Sequence, residues 1–167
     1  MDKKTLKTAY IGLLAALSLG IYALESLIPP LLPVPGIKPG LSNIITLYAL
    51  RKLGKKEAAL ILTVRILLSG LLFGNVLSMA YSLAGGYAAL MIELLCDFLL
   101  KRKHLYLTGA FGGLFHNIFQ LIAAFFLMGS AYVFSYMPYL AISGILTGLF
   151  TGFVSHFLLK IRIPSES

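Results

Sequence analysis

The sequence predicts an all-α, polytopic membrane protein: six transmembrane helices with a proline-rich first outer loop. Composition is the first reason. Of the 167 residues 59% are hydrophobic and only 12% charged, and the mean hydropathy is +0.91, whereas a soluble domain carries about 25% charged residues. The second reason is that the apolar residues fall into six segments. The third is that the cations gather in the breaks between them.

The first segment, Leu6–Ile28, is long enough to span, since a bilayer crossing takes roughly 20 apolar residues. It resembles a signal peptide in position, but its apolar run is too long for an h-region, and prolines follow it where a small-residue cleavage site would stand. It is expected to be a retained helix. The stretch Pro29–Leu41, PPLLPVPGIKPGL, holds five prolines. Each lacks a backbone N–H and blocks regular helix. Hydrophobic residues fill the gaps between them, so the segment reads as a stiff apolar lid or plug over a cavity rather than a wet linker.

The second and third segments, Leu41–Leu53 and Glu57–Phe73, are short and are divided by Arg51-Lys52-Leu53-Gly54-Lys55-Lys56. Four cations in six residues cannot sit in hydrocarbon, so this is a surface turn. The second segment is too short to span alone, and the proline loop is expected to supply the missing outer length. The fourth, fifth and sixth segments, Val76–Leu100, Leu105–Met128 and Met137–Leu159, meet the spanning length. One integral membrane domain, 1–167, is expected.

Charge placement predicts the orientation. Lys3, Lys4 and Lys7 precede the first helix; Arg51, Lys52, Lys55 and Lys56 follow the second; Lys101, Arg102 and Lys103 follow the fourth; Lys160 and Arg162 follow the sixth. In a six-helix chain these all fall on one side, and the opposite loops hold Lys38 alone. The positive-inside rule then puts both termini in the cytoplasm. The net charge of +8 is therefore a topology signal, with attraction to anionic lipid as a by-product, and does not indicate nucleic acid. The single Cys96 excludes an intrachain disulfide and a cysteine metal cluster, and it reads as a packing residue.

Polar residues inside a membrane are costly and need a partner or a function. Arg65 lies eight residues beyond Glu57, and Glu93 eight residues before Lys101. At about 1.5 Å per residue both sit about 12 Å from the inner end, which predicts an Arg65–Glu93 ion pair, either purely structural or also a gate. Asp97 can reach Lys101 at i,i+4. His156, four residues from Lys160, reads as interfacial. Toward the outside, His116 and Gln120 share a helix face at i,i+4, with Asn117 beside them. Glu25 ends the first segment, Lys38 lies in the loop, Asn43 opens the second segment and Asn75 follows the third. Amide, imidazole and single charged groups within apolar walls suit a small-molecule pocket; the alternative is routine interhelical hydrogen bonding.

Small residues recur every fourth position as Gly12, Ala16 and Gly20 on the first segment and Gly144, Gly148 and Gly152 on the sixth. Such stripes permit close helix approach. The second stripe reads as internal packing, and the first could equally face a partner membrane protein. No Walker A, DDxxD, GxSxG or HExxH sequence occurs. The chain is therefore expected to have no engine, catalytic motif, metal site or cofactor of its own.

PGIKPGLSNI (Pro35–Ile44), SLAGGYAALM (Ser82–Met91), GAFGGLFHNIFQLIAA (Gly109–Ala124) and YMPYLAISGILTGLFTG (Tyr136–Gly152) resemble the Gx transporter family, also called heptaprenyl diphosphate synthase component I. That family is similar to the substrate-binding S components of energy-coupling factor (ECF) transporters. The resemblance implies a six-helix bundle in the bacterial cytoplasmic membrane whose first outer loop, here Pro29–Gly40, covers an outward-facing pocket for a small molecule. It also implies docking through Gly12, Ala16 and Gly20 onto a T component carrying two ATPases. The synthase name implies a different role, that of a non-catalytic membrane subunit of a prenyl diphosphate synthase.

Overall fold

A computed structural model describes residues 2–27, 38–73 and 76–161. They form six α-helices: α1 (Lys3–Ser26), α2 (Asn43–Lys52), α3 (Lys55–Phe73), α4 (Val76–Leu99), α5 (Leu105–Met128) and α6 (Met137–Lys160), with a 3-10 segment at Ala131–Tyr136 before α6. Among the described residues four spans are long and apolar enough to cross a membrane, and they are centred on α1, α4, α5 and α6. This is consistent with a membrane protein. The bounds of α5 match the sequence expectation residue for residue. Most of the proline stretch, 28–37, and Asn75 lie outside the described residues.

The helix ends follow local chemistry. Gly129 closes α5 in the left-handed conformation at φ 64°, and its N–H donates to the Phe125 carbonyl. Pro138, in the first turn of α6, sits where a missing N–H costs nothing. At the α2–α3 turn Gly54 adopts φ 116°, and the N–H groups of Leu53 and Gly54 both donate to the Ala49 carbonyl.

Helices α5 and α6 make the closest pairing. Gly109 and Gly113 of α5 meet Gly144, Gly148 and Gly152 of α6 so tightly that a Cβ on any of the five would strike the opposite backbone. The second stripe is thus internal packing, as read from the sequence. Helix α4 packs on α5, α1 packs on α3, and the ten-residue α2 lies among α1, α3, α4 and α6. Every residue of α2 from Asn43 to Leu50 is buried. At about 1.5 Å per residue α2 extends only about 15 Å, half a bilayer.

Two apolar cores result. The larger joins Leu14, Leu47, Ile61, Leu62, Leu90 and Leu105 in the half of the bundle nearer the α2–α3 turn. The smaller joins Tyr81, Leu121, Ala124, Val133 and Leu140 toward the opposite end. A layer of buried polar side chains accompanies them: Ser18, Glu25, Ser42, Asn43, Arg65, His116 and Gln120.

The basic segments meet at one end. Lys7 bonds Glu57 at 2.6 Å, which ties the start of α1 to the start of α3. Arg51 pairs with Asp97 at 2.5 Å, which ties α2 to α4. The expected Asp97–Lys101 contact is replaced by this pair. Helix α4 ends at Leu99, and Lys101 turns left-handed at φ 48°, so the i,i+4 register does not reach it. Cys96 is buried and free, as expected, and His156 packs its ring on Tyr106 with centroids 5.4 Å apart.

Candidate functional site

The polar layer converges on the N-terminus of α2, inside the protein. Helix α1 supplies Glu25, whose Oε1 accepts from the Gly40 N–H at 2.5 Å and the Leu41 N–H at 3.2 Å. The chain entering α2 is therefore hung on a buried carboxylate. Gly40 makes this possible. It holds φ +85°, and a Cβ there would come 2.8 Å from His116 Nε2, so both conformation and space call for glycine. Lys38 lies over the Tyr22 ring, 3.8 Å from its centroid, and its ammonium donates to Ser26 Oγ. The Tyr22 hydroxyl in turn bonds Ser78 Oγ of α4 at 2.9 Å.

Arg65 of α3 is 1% exposed. Its Nη1 donates to Ser42 Oγ at 2.6 Å and its Nη2 to Asn43 Oδ1 at 3.2 Å. That second bond orients the Asn43 amide, so its Nδ2 donates to His116 Nδ1 at 3.0 Å. The ring also bonds the backbone of Gly85 on α4. Nε2 lies 2.9 Å from the Gln120 amide. The result is a continuous chain, Arg65–Asn43–His116–Gln120, running from α3 through α2 to α5.

Of the residues expected at the site, Glu25, Lys38, Asn43, His116 and Gln120 come together. Asn117 turns aside: its Nδ2 donates to the Leu140 carbonyl of α6 at 2.8 Å. One residue on from His116 is a rotation of about 100° around the helix, which aims it at a different neighbour. The Arg65–Glu93 ion pair is not formed. Arg65 joins the site cluster instead, where Glu25 is the acid that attracts it. Glu93 points to α5, where a Cβ on Gly112 would stand 2.6 Å from its Oε1. Equal depth fixed the plane of the two charges but not their direction around their helices.

Sequence reasoning missed Ser42, Tyr22 and Ser78. Ser42 adjoins Asn43, and Tyr22 precedes Glu25 by three residues on the same face of α1, so both carried a usable signal. Ser78 carried none. Three buried polar atoms at the site have no hydrogen-bond partner among the described residues: Glu25 Oε2, Arg65 Nε and Gln120 Oε1. Buried polar groups are normally satisfied, so these are free valences a ligand could occupy. No group of three or more metal-ligating side chains occurs among the described residues.

Glu93 makes no ion pair within 4.0 Å among the described residues, and its Oε2 is unpartnered. Glu93→Gln is therefore expected to shift stability by less than about 1 kcal/mol, whereas Gly112→Ala, which forces that side chain out of place, costs about 1–3 kcal/mol. Thermal unfolding in detergent measures both.

Fold and site together define a helical membrane protein with an internal polar cluster around a half-length helix. The sequence model of the family described as heptaprenyl diphosphate synthase component I matches residues 14–158, and the chain belongs to that family. No curated protein and no solved structure matches it.

Proposed function

We propose that this chain is a substrate-binding membrane subunit, similar to the S components of ECF transporters, that takes up a small molecule. The observation that carries this reading is the buried cluster at the N-terminus of α2, with one carboxylate, one guanidinium, one imidazole and several polar atoms without a partner among the described residues. Half-length helices whose N-termini open inside a bundle are how transporters present partial positive charge and free N–H groups to a solute. Residues 38–40, the described end of the proline stretch, lead into this cluster, with Lys38 and Gly40 part of it. In this reading the chain spans a bacterial cytoplasmic membrane six times with both termini inside. The meeting of the basic segments at one end supports that orientation. Solute enters from the opposite side and is held by Glu25, Lys38, Asn43, Asn75, His116, Asn117 and Gln120, and the proline loop closes over it.

Transport then needs an engine, a T component with two ATPases. Gly12, Ala16 and Gly20 are exposed, and a Cβ added to either glycine meets nothing within 4 Å. The stripe is thus unused by the chain's own packing and suits a closely approaching partner helix. Gly12→Leu is expected to leave thermal stability unchanged and to abolish co-purification with the T component and ATPases.

The solute is tested by native mass spectrometry of gently extracted protein. A co-purifying small molecule is expected. His116→Ala and Asn117→Ala should each weaken its retention about tenfold, the worth of one or two hydrogen bonds. Absence of any bound molecule, or retention unaffected by both substitutions, would overturn the reading. The family description favours a second reading, a non-catalytic subunit that recruits a soluble prenyl diphosphate synthase through Lys101–Lys103 at the basic end. Affinity purification separates the two: ATPases in the eluate support transport, and a soluble prenyl synthase supports recruitment.

A further inference from the structure

Glu93 is a buried acid that the interior cluster does not use. It is 2% exposed, and its Oε2 has no hydrogen-bond partner among the described residues. Helix α5 makes room for it. A Cβ on Gly112 would stand 2.6 Å from Glu93 Oε1 and 3.2 Å from its carboxyl carbon, so the carboxyl fills the space that a side chain there would take. A cavity of about 460 Å³ opens at the basic end between the α2–α3 and α4–α5 turns, and Leu94 and Asp97 of α4 line it. Glu93 lies one helical turn, about 6 Å, deeper than Asp97.

The charges around Glu93 are committed elsewhere. Among the described residues, Asp97 on its own helix and Arg51 of α2 are the ones that act on it. Arg51 pairs with Asp97 at 2.5 Å and gives its other terminal donors to the Arg102 carbonyl and Thr108 Oγ1. Helix α5 presents Gly112 to the carboxyl, and His116, one turn further in, is engaged by Asn43 and Gln120. Helix α3 meets α4 through the apolar Leu62 and Ile66 at Gly86. The other basic residues lining the cavity, Lys52, Lys55 and Arg102, make no ion pair with Glu93. An ionised Glu93 would therefore be an unpaired anion inside the bundle, which a low-dielectric interior strongly disfavours. A proton on the carboxyl removes that charge without moving any side chain.

We propose that Glu93, seated against Gly112, is a proton-binding site, filled at neutral pH and exchanging its proton with the basic-end cavity past Asp97. Carboxyls placed inside a membrane bundle without a partner are suited to carrying protons. The site is separate from the cluster at the N-terminus of α2 and stands whether or not that cluster holds a solute.

Infrared spectroscopy of the full chain, purified in a detergent without carbonyl groups, tests this. At neutral pH the protein should show the carbonyl stretch of a neutral carboxylic acid. Glu93→Gln keeps the shape of the protonated acid and should lose one acid group from that band. The lost component should shift in heavy water while the protein stays folded, as an exchangeable proton requires. It should be the same in sodium chloride as in choline chloride. Glu93→Asp retains an acid and should show the component at a displaced frequency. Four results would each overturn the proposal: a Glu93→Gln difference spectrum that loses carboxylate bands in place of the acid band, a component that heavy water leaves unshifted, one that sodium abolishes, or a Glu93→Asp spectrum identical to that of the unsubstituted protein. The third would mark Glu93 as a sodium ligand and not a proton carrier.

Discussion

Arg65→Ala lowers the stability of the folded bundle by about 3–5 kcal/mol, the usual result of removing one member of a buried charged set. The guanidinium donates to Ser42 and Asn43 and attracts Glu25. Without it, the buried Glu25 carboxylate keeps the Gly40 and Leu41 N–H groups and the attraction of Lys38 but loses its guanidinium partner. Asn43 loses the bond that orients its amide toward His116, so the loss spreads along the whole polar chain. Neutralising both charges together, in Glu25→Gln with Arg65→Met, should recover part of the deficit. A double-mutant cycle on unfolding midpoints in detergent measures the coupling. An additive cycle would show that Arg65 acts through its hydrogen bonds alone and not through Glu25.

The second large effect falls at the seam between α5 and α6. Gly113→Ala and Gly148→Ala should each destabilise by about 3 kcal/mol, at the upper end of overpacking. The added methyl of Gly113→Ala would lie 2.8 Å from Gly148 Cα, and that of Gly148→Ala 2.9 Å from Ala110 Cα. These are backbone atoms of packed helices and cannot swing away as a side-chain tip can. Gly12→Ala and Gly20→Ala make the same chemical change on α1, where the new methyl meets open space. They should alter stability by less than about 1 kcal/mol, in the direction of helix propensity. Thermal aggregation midpoints for the four variants test this contrast. Equal effects at all four would mean that close approach does not decide the cost.

The comparison of these two stripes shows what the sequence could and could not reveal. Both read as glycine or alanine at every fourth position, and nothing in the spacing says which one faces a neighbour. That depends on how the helices are rotated, and rotation is set by contacts far apart in the chain. Segment positions were legible because long apolar runs are bounded by cations or by Gly and Pro, so α5 could be placed to the residue. The shared face of His116 and Gln120 was legible from helical spacing, and the two do meet. The partners of Arg65 were not legible: depth follows from counting residues, but direction around the axis does not. Asp97 pairs with Arg51, 46 residues away in sequence, for the same reason. Ser42 was legible in principle, because a hydroxyl beside a buried asparagine at a helix start is a natural capping and anchoring position.

The brevity of α2 has a consequence for how the protein is made. A ten-residue helix flanked by Arg51, Lys52, Lys55 and Lys56 falls well short of the roughly 20 apolar residues that insertion machinery accepts as a span. It cannot partition into lipid by itself as it leaves the ribosome. Its lodging depends on residues synthesised later: Arg65 of α3 holds Ser42 and Asn43, and Ser155 of α6 donates to the Ile44 carbonyl. Nascent chains halted before α6 emerges should therefore leave α2 accessible to aqueous labelling, and full-length chains should seal it.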